Sequence, residues 1–397
     1  MHSITILGST GSIGQSTLDI IARHPDRFRV EALTAHRNIA QLYRQCLQFK
    51  PRFVVLATAE LAAELRIKLH DKKMKTEVLH GADAISQLAG DSASDTVVAG
   101  IVGSAGLLPT LSAIRAGKRI LLANKESLVM AADLFMQMVR QHHATLLPID
   151  SEHNAIFQCL PDDFLPGKTL KGVQSIILTA SGGPFRTLPL TEFHALTPMQ
   201  AVAHPNWHMG TKVSIDSATM MNKGLEVIEA FWLFGLSIEQ IQVIIHPQST
   251  IHSMVVFEDA SFLAQLGCPD MRIPIAHALG WPDRIASGAK RLDFMTMNRL
   301  DFEPVCYKRF PCLRLAYQAL KAGGTATAIL NAANEIAVEA FCANQIRFDQ
   351  IASVVDAVLQ QSDITPANDL NVILNADAAA RKFTTQIIKE SVYSVPK

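Results

Sequence analysis

Six short runs of β-branched or aliphatic residues, separated by five longer segments with helix-spaced apolar positions, fill the first 150 residues, and nothing else in the chain narrows the fold as sharply. The runs are Ser3–Leu7, Arg29–Leu33, Phe53–Leu56, Thr96–Gly100, Arg119–Ala123 and Thr145–Ile149; the segments are Ser12–Arg23, Ile39–Phe49, Ala59–Lys73, Leu107–Ala116 and Glu126–His142. Strands joined through helical crossovers pair in parallel. Residues 1–150 are therefore expected to form an N-terminal Rossmann-like, doubly wound parallel sheet of the α/β class. After Asp150 the pattern changes. Ser175–Ala180, Gln242–His246, Ile251–Phe257 and Phe262–Leu266 follow one another with fewer helices between them, which predicts a central α+β catalytic domain over 151–281 with a partly antiparallel sheet. Residues 282–311, with Pro282, Gly288, Pro304 and Pro311, read as a connector. Residues 312–397 carry only helical patterns, at Cys312–Lys321, Thr325–Ala343, Phe348–Gln361 and Ala376–Lys389. They are expected to form a C-terminal α-helical bundle, with a small-residue face in Asn331-Ala332-Ala333-Asn334-Glu335.

A chain of 397 residues exceeds what one core usually serves, in keeping with several domains. Lys plus Arg number 36 and Asp plus Glu 36, for a formal net charge of zero, and no basic run stands out; nucleic acid is not an expected partner, and a small molecule is. Six cysteines without a CxxC pair suit reduced thiols. No apolar stretch reaches the roughly 18 residues of a membrane span. The strand-like run at Ser3–Leu7 leaves no stretch for a leader before it, so the expected location is cytoplasmic.

Gly8-Ser9-Thr10-Gly11-Ser12-Ile13-Gly14 directly follows the first strand and opens the first helix. Glycines there allow a tight turn and let backbone amides and a helix N-terminus face a pyrophosphate; a plain strand-to-helix connection is the alternative. After the second strand stands Ala35-His36-Arg37-Asn38, with no carboxylate to accept ribose hydroxyls. Arg37 suits the 2′-phosphate of NADP, because a guanidinium binds phosphate through two hydrogen bonds. A solvated surface arginine is the alternative.

Asp150 and Glu152, in Asp150-Ser151-Glu152-His153, follow a strand and project to one side. Carboxylates this close repel unless a cation or a shared proton separates them, and hard oxygen donors favour magnesium or manganese. Helix capping by Asp150 explains the pattern equally well. Asn222, Glu226 and Glu229 share a helix face with apolar residues on either side, either a partly buried acid site or a solvated stripe paired with Lys223. Ser181-Gly182-Gly183-Pro184 reads as a phosphate-holding turn or a chain reversal. Trp207, in His204-Pro205-Asn206-Trp207-His208-Met209-Gly210, reads as part of a lid or as a buried aromatic anchor. His246 and His252 flank a further turn and read as structural.

Taken in order, Gly8–Gly14, Leu122–Ser127, Pro148–Phe157, Ser181–Phe185, His204–Trp207, Asp216–Glu226, His246–Ser249 and Asn331–Glu335 resemble the 1-deoxy-D-xylulose 5-phosphate reductoisomerase family over nearly the whole chain. The resemblance implies that Asp150, Glu152 and Glu226 are ligands of Mg2+ or Mn2+. It implies that Ser181, Ser217, Asn222 and Lys223 hold the substrate phosphate, and that Lys125, Ser151 and Glu152 face the reacting carbons. His204, Trp207 and Met209 would belong to a lid, with His252 nearby. Lys125, Glu152 and His204 would be catalytic. Thr10, Gly11, Ser12, Ile13, His36, Arg37, Asn38, Asn124 and Glu126 would contact NADPH. Many members carry a small residue where His36 stands. The implied reaction is a rearrangement of a sugar phosphate skeleton followed by reduction by NADPH, in a homodimer. Two rival readings are a plain NADP-dependent dehydrogenase whose carboxylates only cap helices, and a silent nucleotide-binding regulator. The second would need broken chemistry at Lys125 or Glu152, and both residues are present.

Overall fold

The computed structural model describes residues 1–91, 93–161, 164–168, 170–203, 207 and 210–393, the last three as backbone alone. They divide into two compact units. One comprises Met1–Ser127, Phe135–Asn154 and Asp270–Lys290; the other comprises Leu128–Leu134, Ala155–Pro269 and Arg291–Lys397.

The first unit is built on seven strands: β1 (His2–Leu7), β2 (Phe28–Thr34), β3 (Phe53–Leu56), β4 (Glu77–His80), β5 (Thr96–Ala99), β6 (Arg119–Leu122) and β7 (Thr145–Pro148). They lie in the order β4-β3-β2-β1-β5-β6-β7, and every pairing is parallel. Helices flank such a sheet on both faces, so its strands are apolar on both: Ile4, Ile6, Leu7, Val54, Val55, Leu56, Val97, Val98, Ile120 and Leu121 are all fully buried. From β1 the chain winds outward to β4, then returns to lay β5 on the other side of β1. The crevice where the winding reverses, beyond the carboxyl ends of β1 and β5, is where open α/β sheets bind ligands. The six expected strands are present. The structure adds β4 and the helix Ala82–Gly90, which the sequence reading did not anticipate. β4 is an edge strand with only Val78 and Leu79 apolar between Glu77 and His80, too few to stand out as an aliphatic run.

The helix Arg272–Gly280 completes this unit. Arg272 spans Asp19 at 3.1 Å and Asp270 at 2.6 Å, and the Arg119 guanidinium lies 5.6 Å from the centre of the Trp281 ring. Arg23 and then Arg272 hold the Asp19 carboxyl below its usual range, and Arg272 does the same for Asp270.

The second unit has a five-stranded sheet made of β8 (Val173–Ala180), β9 (Ile241–Ile245), β10 (Ile251–Phe257), β11 (Phe262–Leu266) and β12 (Glu303–Pro304), in the order β11-β10-β8-β9-β12. Only β8 and β9 pair in parallel, the partly antiparallel character expected. β12 falls inside the stretch read as connector. Two residues ending in a proline give no alternation to detect, and an edge is where a sheet tolerates proline. The C-terminal helices span Pro311–Ala322, Ala326–Cys342, Gln350–Gln361 and Leu370–Tyr393. The last begins six residues before the expected Ala376, with Asp369 accepting the Asn371 amide at 2.8 Å. Helix Ala326–Cys342 is almost wholly buried, including both asparagines of the Asn331–Glu335 run. Among the described residues no helix is long and apolar enough to cross a membrane.

Candidate active site

In the first unit the dinucleotide candidates gather at the carboxyl edge of β1 and β2. Gly8 takes φ +80°, and a Cβ there would lie 2.8 Å from the Gly100 carbonyl oxygen, so only glycine lets the turn pass β5 this closely. A Cβ on Gly14 would lie 2.4 Å from the Ser9 Cα, which fixes the helix against the turn. Gly11 stands at the N-cap of helix Ser12–Arg23, so no side chain caps its first amides. Thr10, Gly11, Ser12 and Ile13 are exposed or half-buried around them. Uncapped amides at the positive end of a helix dipole form an anion site. Thr34 ties this turn to β2, its hydroxyl accepting from the Gly8 amide at 2.9 Å and its carbonyl from the Ser9 amide at 2.8 Å. His36 and Arg37 follow it, exposed. Asn38 is exposed too, but its side chain is engaged: Oδ1 caps the Gln41 amide and Nδ2 donates to the Gln41 side chain.

Asn124 is likewise committed. Its Oδ1 accepts from the Ser127 amide at 2.7 Å, capping helix Lys125–Gln141, while Nδ2 donates to the carbonyls of Ile101 and Gly103. One side chain therefore joins the loop after β5 to the helix that carries Lys125. That loop, lining the same crevice as the glycine turn, escaped the sequence reading; the asparagine that latches it lies more than twenty residues away. Glu126 and Ser127, next along the chain, are buried.

Asp150 follows β7 and meets the Lys125 ammonium, with side-chain exposures of only 14% and 10%. Glu152 lies in the first turn of helix Ser151–Cys159, its Oε2 accepting from the Ser151 hydroxyl at 2.6 Å. Lys125, Asp150, Ser151 and Glu152 thus share one side of the sheet edge. The buried Asn154 anchors this helix, donating to the Pro148 carbonyl at 2.8 Å and contacting His277 at 3.2 Å.

The second unit places its candidates on two short helices, Thr211–Thr219 and Met221–Phe234, joined through Met220 in the left-handed conformation at φ +61°. Ser217 is the one half-buried residue in the otherwise buried run 214–220. Against it lies the Ser181–Gly183 turn. A Cβ on Gly183 would sit 2.9 Å from the Ser217 carbonyl oxygen, and the Ser181 hydroxyl accepts the Gly183 amide at 3.1 Å. On the next helix Glu226 is fully buried, and Asn222 and Lys223 donate to its two carboxylate oxygens. The solvated-stripe alternative fails here: Lys223, Glu226 and Glu229 are all buried. Trp207 stacks at a tilt on His252, ring centres 5.9 Å apart. His204 and Met209 lie outside the described residues.

Helix Thr211–Thr219 is braced by Lys212, Asp216 and Asn334, for which the sequence suggests no such role. Lys212 pairs with Asp216 at 2.8 Å, and the buried Asn334 donates to the other Asp216 oxygen at 2.8 Å. A nine-residue helix is unstable alone, so these contacts help set where Ser217 stands.

The donors suit the ligands. Carboxylates near a serine hydroxyl match a hard divalent cation, and uncapped amides followed by an exposed arginine match a dinucleotide carrying an extra phosphate.

Comparisons with known proteins agree. Residues 4–132 match the family described as 1-deoxy-D-xylulose 5-phosphate reductoisomerase, and residues 146–234 and 266–383 match two C-terminal domains of that reductoisomerase. The chain is 58% identical to the 1-deoxy-D-xylulose 5-phosphate reductoisomerase of Cupriavidus necator over 382 residues, covering 96% of this chain and 97% of that protein. It is 58% identical to that of Nitrosomonas europaea over 378 residues, covering 95% and 92%. Among solved structures, a DOX-P reductoisomerase in complex with NADPH, fosmidomycin and magnesium is similar with a TM-score of 0.93 at 47% identity, covering 98% of each chain. The Zymomonas mobilis enzyme in complex with NADPH gives a TM-score of 0.89 at 47% identity, covering 98% of this chain and 99% of that one. A match that runs through both units at this identity leaves one conclusion: the chain belongs to the 1-deoxy-D-xylulose 5-phosphate reductoisomerase family.

Proposed function

We propose that this protein converts 1-deoxy-D-xylulose 5-phosphate to 2-C-methyl-D-erythritol 4-phosphate, a step towards isoprenoid precursors, with NADPH and Mg2+ or Mn2+. The observation that carries this reading lies within the first unit. One sheet edge bears both an uncapped glycine-turn helix and the Lys125, Asp150, Ser151 and Glu152 group. A dehydrogenase that only moves hydride has no need of the second.

Thr10, Gly11, Ser12 and Ile13 would hold the dinucleotide's pyrophosphate and Arg37 its 2′-phosphate, with His36, Asn38, Asn124 and Glu126 as further contacts. Asp150, Glu152 and Glu226 would be the metal ligands. When bound, a divalent cation supplies Lewis acidity that stabilises negative charge on the substrate's carbonyl and hydroxyl oxygens. Lys125 and Glu152 hold and move the protons that a skeletal rearrangement requires. Ser181, Ser217, Asn222 and Lys223 would grip the phosphate, and the lid to which the resemblance assigns Trp207 and His204 would exclude water. Along the chain, residues 1–150 serve mainly the dinucleotide and also supply Lys125 and Asp150, 151–281 serve substrate and cation, 282–311 form a connector that carries β12, and 312–397 form supporting helices.

The protein acts in the cytoplasm as a homodimer. β11 supports the dimer: it is an edge strand with Phe262 and Leu263 57% and 50% exposed, an uncovered apolar edge of the kind a second copy covers. The reading is tested by following NADPH oxidation with deoxyxylulose phosphate before and after chelation. We expect turnover to vanish with the metal and return on adding Mg2+; turnover indifferent to a chelator supports the plain dehydrogenase instead.

A further inference from the structure

Each unit repeats one arrangement: a lysine assigned to the substrate is paired with a carboxylate assigned to the cation. Lys125 meets Asp150 in the first unit, and Lys223 meets Glu226 in the second. A buried carboxylate needs a compensating charge, and removing its partner costs several kcal/mol. Glu226 is fully buried and Asp150 nearly so, which makes the lysines their counter-ions. Lysine suits a temporary place of this kind. Its ammonium sits on a flexible four-carbon stem and can swing to a neighbouring anion without moving the backbone, as a planar guanidinium held by two bonds does not.

On the reading proposed above, we infer that Lys125 and Lys223 are exchangeable counter-ions, displaced from Asp150 and Glu226 when the divalent cation binds and thereby released towards the substrate. Each ammonium that leaves is replaced at its carboxylate by positive charge of the cation, so Asp150 and Glu226 stay compensated, and each freed ammonium can meet an anionic group of the substrate. The phosphate site gains its cation only once the metal is in place. Cation and phosphate binding are then positively coupled, and reciprocally so. The exchange does not require that either lysine lack further partners. It requires only that the ammonium and the metal compete for the same carboxylate oxygens.

The test is calorimetric titration of the full-length protein at one pH with Mn2+ alone, then with inorganic phosphate as probe. Lys223→Met and Lys125→Met are expected to bind Mn2+ more tightly than the wild type, by about tenfold for a coupling of ordinary size, although both lose turnover. Wild-type affinity for phosphate is expected to rise about tenfold at saturating Mg2+, and that rise should disappear in Lys223→Met. Retained NADPH binding shows that a variant is folded. Folded variants that bind Mn2+ no better than the wild type overturn the exchange. So does a wild-type phosphate affinity indifferent to metal, a result that decides the matter even if a variant does not fold. Failure of the functional reading looks different, because the wild type itself then binds no Mn2+ or turns over no substrate.

Discussion

The two units present the groups proposed to bind ligands in different ways. The first uses a sheet edge: parallel strands buried on both faces deliver backbone amides and short loops to the crevice beside β1, with Gly8 and Gly14 permitting approaches no Cβ would allow. The second relies on side chains of two short helices that meet at a left-handed Met220, braced by Asp216 and Asn334. Backbone amides at a helix start suit a long pyrophosphate that must be held in register; mobile serine, asparagine and lysine side chains suit a small phosphate that enters and leaves. The lesson is that cofactor affinity and cation or substrate affinity should separate under mutation.

Glu226→Gln should give the largest effect. It removes a negative ligand and leaves Lys223 without its buried partner, so metal affinity is expected to fall on the order of a hundredfold, the upper end of what even outer-shell changes cost, with activity falling too. NADPH affinity, measured in the same titrations, should stay near that of the wild type. A variant that keeps its Mn2+ affinity removes Glu226 from the metal site.

Arg37→Glu tests the other side with a smaller effect. Losing a charge-assisted phosphate contact costs about 1.5–3 kcal/mol, roughly ten- to a hundredfold, and this should appear as a fall in kcat/KM for NADPH with that for NADH nearly unchanged. Mn2+ affinity should not move. Equal losses for the two cofactors break the assignment of Arg37 to the 2′-phosphate and blur the contrast between the units.

Much of this was legible in the sequence because it is local. The glycine turn, the alternation of strands and helices in the first 150 residues, and the strands Ile251–Phe257 and Phe262–Leu266 follow from spacing over a few residues. What was missed either lacks an aliphatic run, as with β4 and the two-residue β12, or depends on partners far apart in the chain. Asn334 and Asp216 are 118 positions apart, so a run read as a small-residue face proves to carry a buried polar brace. The side chain of Asn124, expected as a cofactor contact, also holds the Ile101 and Gly103 carbonyls and caps a helix, a role that spacing does not show. Asp150 was ambiguous between cap and ligand because sequence does not reveal the nearby ammonium of Lys125. The start of the last helix could have been found: Asp369 precedes it as a capping residue.

A skeletal rearrangement ahead of the reduction is what separates the proposed reaction from that of a plain dehydrogenase. Carbon-13 NMR of the product formed from 1-deoxy-D-xylulose 5-phosphate, NADPH and Mg2+ tests it most directly. The account predicts a branched four-carbon polyol phosphate bearing a methyl group, with the original C3–C4 bond broken. A straight-chain polyol phosphate, reduced at C2 with that bond intact, would contradict it.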